Sequence, residues 1–214
     1  MYLQLILFLM NIKKILFLII LTASFLRGQS GNYKFRHYTI NEGLSESMVL
    51  AVIQDHKGFM WFGSSGLSKF NGYNFTNYLN HADAQNSLVN NFVQALFEDS
   101  QKRLWIGTRS GISIYNRAKN NFDNIFPDSL NNQFNVAGFA ESKDGTIYIG
   151  TFGYGLIKYN PATRETVKFE YLEKDESSIC SNWVSDIIID KNENIWVATF
   201  HGLNLLDAST GKFT

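Results

Sequence analysis

The chain has 214 residues, of which 45% are hydrophobic and 15% aromatic, enough apolar material for a core of one or two domains. Its formal net charge is zero and it shows no basic patch, which argues against electrostatic binding of nucleic acid. Cys180 is the single cysteine, so we expect no internal disulfide and no cysteine-based metal site, and we predict neither a metal nor a cofactor.

The first 30 residues have the layout of a secretory signal peptide. From the tenth residue the sequence reads MNIKKILFLIILTASFLRGQS, with two lysines, an apolar stretch and then small or polar residues. We expect cleavage between Gly28 and Ser30 and export to the periplasm. In the alternative, the preceding MYLQLILFL lengthens the apolar run into an uncleaved anchor, although the two lysines interrupt it.

The mature part, 31–214, begins with an extra strand at 33–40. Its FRHY at 35–38 has the spacing of FTNY at 75–78, a stretch that ends the first of four repeats. We therefore expect 33–40 to be a spare outer strand that closes a ring of sheets by pairing with the last one.

Four repeats follow, each centred on an aromatic anchor and spaced 44, 43 and 48 residues apart. The anchors are Trp61, Trp105, Tyr148 and Trp196. Twelve residues before them lie Val49, Val93, Val136 and Val184, and six before them lie Asp55, Asp99, Ser142 and Asp190. Two residues after them lie Gly63, Gly107, Gly150 and Ala198. Such agreement at fixed offsets makes the repeat the strongest signal in the sequence.

Each repeat reads as four short strands. The first is an apolar run such as MVLAVIQD, from residue 48, which we expect to be buried on both faces. The anchor lies in the second strand, and the third strand alternates with period two. Four antiparallel strands every 43–48 residues describe a blade of a β-propeller. The predicted fold is therefore all-β, with blades near 44–79, 88–126, 131–172 and 180–214.

We expect the residues that recur in every repeat to have structural roles. We expect the aromatic anchors to pack between blades, and Asp55, Asp99 and Asp190 to fix turns by side-chain hydrogen bonds to the backbone. Four blades plus a spare strand do not close a ring, so we predict a fragment of a larger ring, commonly seven-bladed. A closed four-bladed ring is the alternative.

The segment FRHYTINEGLSESMVLAVIQDHKGFMWFGSSGLSKFNGYNF, 35–75, resembles the opening of two-component regulator propeller repeats. Such repeats form the periplasmic sensor region of hybrid histidine kinases, common in the Bacteroidetes. The resemblance covers 33–214, with departures at Ser142, Tyr148 and Ala198. It implies, as partners, an oligosaccharide ligand, further blades and a kinase region of the same parent protein, and a homodimer. The kinase machinery lies outside these residues, so we do not expect this chain to be an enzyme.

Propellers bind ligands at one mouth of the ring, where the loops between strands two and three and between blades meet. Aromatic faces with polar tips suit sugar rings. The candidate ligand-binding residues on these loops are Arg109, Phe152, Tyr154, Trp183, Phe200 and His201. In the alternative interpretation, Phe152 and Trp183 only pack between blades.

Two other classes of function stay open. A glycan-active propeller enzyme would need paired acid and base groups, but Glu42, Glu46 and Glu98 have no evident partner in the sequence. A free-standing secreted or periplasmic propeller that acts as a binding or scaffold protein is the other alternative.

Overall fold

The structure is a computed structural model that describes residues 34–126 and 134–214. The predicted signal peptide, 1–30, lies outside the described residues. The chain divides into two units, Met1–His37 and Tyr38–Thr214, and the repeats all lie in the second. No helix within the described ranges is long and apolar enough to cross a membrane.

In the described part of the second unit, sixteen strands follow one another in four groups of four. Blade 1 contains β1 (Ala51–Gln54), β2 (Met60–Ser64), β3 (Gly66–Phe70) and β4 (Phe75–Tyr78). Blade 2 contains β5 (Val93–Glu98), β6 (Leu104–Thr108), β7 (Gly111–Asn116) and β8 (Asn121–Ile125). Blade 3 contains β9 (Asn135–Glu141), β10 (Ile147–Phe152), β11 (Leu156–Tyr159) and β12 (Thr166–Phe169). Blade 4 contains β13 (Val184–Ile189), β14 (Ile195–Thr199), β15 (Gly202–Asp207) and β16 (Lys212–Phe213).

Each group forms its own sheet, with its strands paired antiparallel in chain order. The predicted all-β architecture of four four-stranded propeller blades is therefore confirmed. In the described part of the chain no strand of blade 4 pairs with blade 1, so the blades form an open arc rather than a closed ring.

Ahead of blade 1, residues 34–39 lie outside any strand. They lead into a 3₁₀ helix, Ile40–Glu42, which is capped by Thr39. The Glu42 carboxylate accepts hydrogen bonds from the backbone N–H and from the hydroxyl of Thr39, both at 2.7 Å. The predicted ring closure by 33–40 stays a prediction.

The hydrophobic core lies between neighbouring sheets rather than inside any one of them. Trp61 is fully buried and meets Tyr115 of blade 2 edge-on, with 4.8 Å between ring centroids. Trp105 is likewise buried and packs against Phe139 and Tyr159 of blade 3. A lone sheet would leave these rings in water, so each blade depends on its neighbour for stability.

Glycine after the anchor allows the next blade to come close. A Cβ atom built on Gly63, Gly107 or Gly150 would lie 2.6–2.7 Å from Cγ1 of a valine in the first strand of the next blade. These partners are Val93, Val136 and Val184, all fully buried. The repeated valine and the repeated glycine therefore form one contact, made across every junction between described blades.

The prediction that the first strands are buried on both faces is wrong for the two end blades. Val52 in β1 and Ile188 in β13 are 59% and 60% exposed. Each points away from its neighbouring blade, toward a side on which the described chain supplies no further sheet.

Candidate functional site

One mouth of the blade arc is held together by hydrogen bonds from loop to loop. The hydroxyl three residues after each anchor donates to the carbonyl of the glycine at or just before the start of the third strand, for example Thr151 Oγ1 to Gly155 O at 2.8 Å. The backbone N–H groups of Gly153 and Gly155 both donate to Asn182 O of blade 4, at 2.9 and 3.0 Å. The loop of one blade is thereby fixed against the start of the next.

Three of the six candidate residues meet at this mouth. Phe152 forms a β-bridge with Trp183, and their ring centroids lie 6.1 Å apart. Phe200 stacks on Trp183 at 5.9 Å with 27° between the planes, and meets Phe152 edge-on at 5.9 Å. Trp183 is 50% and Phe200 64% exposed, so the cluster offers aromatic faces to solvent.

A fourth candidate, His201, lies beside this cluster. It lines a cavity of about 440 Å³ together with Trp183 and residues that were not predicted from the sequence to bind a ligand. These additional residues are Tyr171, Cys180, Ser181 and Asn182. Their polar groups stand next to exposed rings, which is an arrangement that can bind a ligand with both apolar faces and hydroxyl edges.

Asn182 was missed because its position carries asparagine in only two repeats. Its Oδ1 accepts from Tyr171 N at 2.7 Å, as Asn91 Oδ1 accepts from Asn80 N at 2.6 Å in the junction between blades 1 and 2. The recurrence of asparagine two residues before Val93 and Val184 was the signal that could have identified it.

Arg109 and Tyr154 lie apart from the cluster. The Arg109 guanidinium lies 4.2 Å from the centroid of the Phe92 ring, at the start of blade 2. Tyr154 packs against the core between blades 2 and 3, and Lys168 Nζ lies 5.0 Å from the centroid of its ring. Their predicted ligand contacts stay predictions, as do those of the other four residues.

The opposite end of the blades carries the turn aspartates. Asp55 Oδ1 accepts from Lys57 N and Phe59 N, at 2.9 and 3.0 Å, and Oδ2 accepts from the indole N–H of Trp61 at 2.9 Å. Asp99 and Asp190 make the equivalent bonds in their own blades. The aspartate thus fixes both the turn and the orientation of the anchor ring.

Blade 3 lacks both partners of the hydrogen bond that joins the anchor indole to the turn aspartate in the other blades. Tyr148 has no indole N–H, and Ser142 has no carboxylate to accept one. Asp144 takes over the turn, accepting from Thr146 N at 3.0 Å and from the Ser142 hydroxyl at 2.6 Å. The two departures from the repeat are therefore physically coupled.

Glu98 has partners, contrary to the expectation from sequence. Its carboxylate accepts from the backbone N–H of His56 at 2.8 Å and contacts His56 Nδ1 at 2.8 Å. Arg117 donates to Glu98 at 2.8 Å and to Asp55 at 2.7 Å, which ties blade 1 to blade 2. Burial opposes ionisation of Asp55, but hydrogen bonds from Trp61 and Arg117 outweigh it and lower the pKa of this carboxyl.

The cluster of Asp55, Glu98 and Arg117 has a structural role, because each carboxylate accepts hydrogen bonds from the neighbouring blade. Ser100 repeats the contact one junction further on, where its N–H and hydroxyl both donate to Glu141 at 2.7 Å. Within the described ranges no group of His, Cys, Asp and Glu side chains is arranged to hold a metal ion.

Comparison with known proteins supports the same repeat. The sequence profile of the family described as "Two component regulator propeller" matches 43–66, 87–110 and 178–201. Each match begins 18 residues before an anchor tryptophan. The three matched stretches fall in blades 1, 2 and 4.

The histidine kinase P4 of Formosa agariphila is 33% identical over 181 residues, which are 79% of this chain and 13% of that protein. The extracellular domain of a hybrid two-component system from B. thetaiotaomicron superposes with a TM-score of 0.70 at 22% identity, over 83% of this chain and 24% of that one.

Virginiamycin B lyase from Staphylococcus aureus shares the fold, with a TM-score of 0.60 at 11% identity, over 80% of this chain and 56% of that one. The chain spans only a small part of the histidine kinase and of the extracellular domain that it matches. Taken with the anchors, the turn aspartates and the four blades, these matches show that the chain is built from two-component regulator propeller repeats.

Proposed function

We propose that this chain is part of the N-terminal periplasmic sensor propeller of a hybrid histidine kinase, and that it binds glycan-derived oligosaccharides as its input. The observation that carries the proposal is the exposed aromatic cluster of Phe152, Trp183 and Phe200 at the mouth. Three apolar rings held partly in water are costly to expose and are typical of a binding surface.

The cluster suits a sugar for a specific physical reason. The C–H face of a pyranose packs on an aromatic ring, while its hydroxyl groups need donors and acceptors at the rim. Trp183 and Phe200 supply the rings, and Ser181, Asn182 and His201 line the adjoining cavity. The 33% identity to a histidine kinase supports the signalling context.

Binding is tested on the purified chain with a panel of plant and algal oligosaccharides, followed by isothermal titration calorimetry. Trp183→Ala and Phe200→Ala should each weaken binding by about tenfold or more, since truncating an aromatic ring that carries binding energy costs about 1.4 kcal/mol or more. Tyr73→Ala is the matched control, because Tyr73 is 89% exposed and lies outside the cluster.

Three outcomes contradict the proposal. The panel gives no saturable binding, or the two cluster variants bind like Tyr73→Ala, or the oligosaccharide is cleaved. In the last case product appears over time in chromatography, and the enzyme class replaces the sensor. Binding without product, lost in the cluster variants alone, supports the sensor class.

A further inference from the structure

The mouth between blades 3 and 4 and the mouth between blades 1 and 2 are built on equivalent backbone hydrogen bonds. Leu172 N and His81 N each donate to the hydroxyl of the serine six residues further on, at 3.0 and 2.9 Å. Cys180 N and Val89 N each donate to a side chain of the following third strand, at 2.9 and 3.0 Å. Each side chain of one mouth therefore has a definite counterpart in the other.

The mouth between blades 1 and 2 contains its own hydrogen-bond donor. The Nδ2 atom of Asn80 donates to the carbonyl oxygens of Leu88 and Val89, at 2.5 and 3.3 Å. Tyr171 holds this place between blades 3 and 4 and carries no amide. Among the described residues, none donates to the carbonyl oxygen of Cys180, the counterpart of Val89. Since Cys180 lines the mouth cavity, its carbonyl is an acceptor that a ligand can use.

The mouth between blades 1 and 2 also contains its own cation. The Arg109 guanidinium lies 4.2 Å from the centroid of the Phe92 ring. Phe200 and Trp183 hold these two places between blades 3 and 4, so the ring is kept and a second ring replaces the cation. The six residues that line the cavity all lie within the described range 134–214, and neither lysine nor arginine is among them.

The loop that joins Tyr171 to Cys180 is acidic. Residues 172–179 read LEKDESSI, with three carboxylates against one lysine, whereas the corresponding loop, 81–88, reads HADAQNSL and has one carboxylate. Both ends of the acidic loop lie at the cavity, because Tyr171 and Cys180 line it. Its charge therefore raises the local concentration of cations at this mouth.

We propose that the mouth between blades 3 and 4 binds a glycan with a free amino group, whose ammonium donates to Cys180 O and faces the rings of Trp183 and Phe200. The ammonium supplies what Asn80 and Arg109 supply between blades 1 and 2, a donor for the carbonyl and a cation for the ring. It has three donors and a full charge, so it suits this place better than a sugar hydroxyl does. This inference rests on the proposed function, because it names the class of sugar that the same site takes.

The experiment compares three β-1,4-linked disaccharides that differ at C2. The disaccharide of glucosamine carries an amine, cellobiose a hydroxyl and N,N′-diacetylchitobiose an acetamido group. Each is titrated into the purified chain at low salt by isothermal titration calorimetry. The amine should bind about tenfold or more tighter than either of the others, because it adds a charge-assisted hydrogen bond and a cation–π contact. Ethanolamine, an amine without a sugar ring, should bind about tenfold or more weakly than the glucosamine disaccharide.

Two variants restore the groups of the mouth between blades 1 and 2. Phe200→Arg introduces the cation and Tyr171→Asn introduces the amide, and each should bring the affinity ratio of amine to hydroxyl disaccharide below about threefold. The ratio is the measured quantity, because loss of a ring weakens both disaccharides. Tyr73→Arg and Tyr73→Asn are the matched controls, since they introduce the same residues on the exposed turn after β3 and should leave the ratio unchanged.

Each outcome separates this inference from the proposed function. A wild-type ratio near one overturns the inference, while saturable sugar binding that is lost in Trp183→Ala leaves the proposed function standing. An unchanged ratio in both Phe200→Arg and Tyr171→Asn overturns the inference, as does ethanolamine that binds as tightly as the glucosamine disaccharide. If no sugar binds saturably, both the inference and the proposed function fail.

Discussion

Gly150→Ala tests whether close contact between blades is what the repeated glycine provides. Gly150 lies in β10, and a Cβ atom there would sit 2.7 Å from Val184 Cγ1 and 3.2 Å from Ile187 Cδ1. The first distance is about 0.7 Å short of ordinary contact, so blade 4 must shift or Val184 must leave its rotamer. Overpacking of this kind costs about 1–3 kcal/mol of unfolding free energy.

A substitution of Val184, the partner of Gly150, measures how much the same contact contributes to the free energy of unfolding. Val184→Ala removes two buried methyl groups and should cost about 2 kcal/mol, from lost transfer free energy plus a small cavity. In the double variant the new methyl of residue 150 occupies part of the space that the valine leaves. The two losses should therefore fall short of additivity by about 1–2 kcal/mol.

The assay is urea unfolding followed by tryptophan fluorescence and by circular dichroism, whose transitions must coincide for the free energies to be comparable. Ala198→Gly is the control, because Ala198 holds the equivalent place on blade 4, and it should change stability by less than about 1 kcal/mol. A Gly150→Ala loss below about 0.5 kcal/mol, or full additivity with Val184→Ala, would refute the reasoning.

Trp105→Phe should cost about 2–3 kcal/mol in the same urea assay, because it leaves Asp99 without its buried indole donor and removes ring volume. Glu98→Gln should cost about 1–2 kcal/mol, because the charge opposite Arg117 is lost at the junction between blades 1 and 2. The hydrogen bond from the Asn194 side chain is the main cause that lowers the pKa of Asp190 from 3.8 to about 2. A carboxyl group whose pKa is lower in the folded state stabilises the fold fully at a pH above its pKa in the unfolded state. This stabilisation is lost as the pH falls through its pKa in the folded state. The difference in melting temperature between wild type and Asp190→Asn should therefore shrink between about pH 5 and pH 2.

Each of these has its own control or contradicting result. Trp196→Phe should cost less than Trp105→Phe, since the Trp196 indole bond to aspartate is longer, at 3.3 Å, and the ring is only partly buried. Glu46→Gln should be nearly neutral, because the Glu46 side chain is exposed and, among the residues that the structure describes, accepts only from the adjacent Ser47 N. A melting-temperature difference for Asp190→Asn that is constant with pH would contradict the assigned pKa.

The sequence predicted the blades well because each strand is identified by a local pattern. An apolar run, an acidic turn, an aromatic anchor and a glycine recur at fixed offsets, and a sheet of neighbouring strands needs only local pairing. The failed expectation for Val52 and Ile188 concerns the neighbouring sheet, not the strand itself. Burial on the second face depends on that sheet, which the pattern of one strand does not report.

The candidate site was less predictable because side-chain direction depends on packing between blades. Arg109 and Tyr154 lie on the expected loops, but one packs on Phe92 and the other against the core, whereas Trp183 and Phe200 turn outward. The partners of Glu98 are equally non-local, since His56 lies 42 residues away in the chain. The spacing of residues within one repeat does not predict which residues of two different repeats will be in contact.

The departures from the repeat deserve as much weight as the repeat itself, because the repeated residues are already used in holding the blades together. Every turn carboxylate of the repeat has a donor, and every glycine after an anchor that precedes another described blade has a valine against it. Groups that remain available for a ligand must therefore come from positions where the repeats differ. The mouth between blades 3 and 4, with its added rings, is one such position, and a ligand that binds there would bridge two blades.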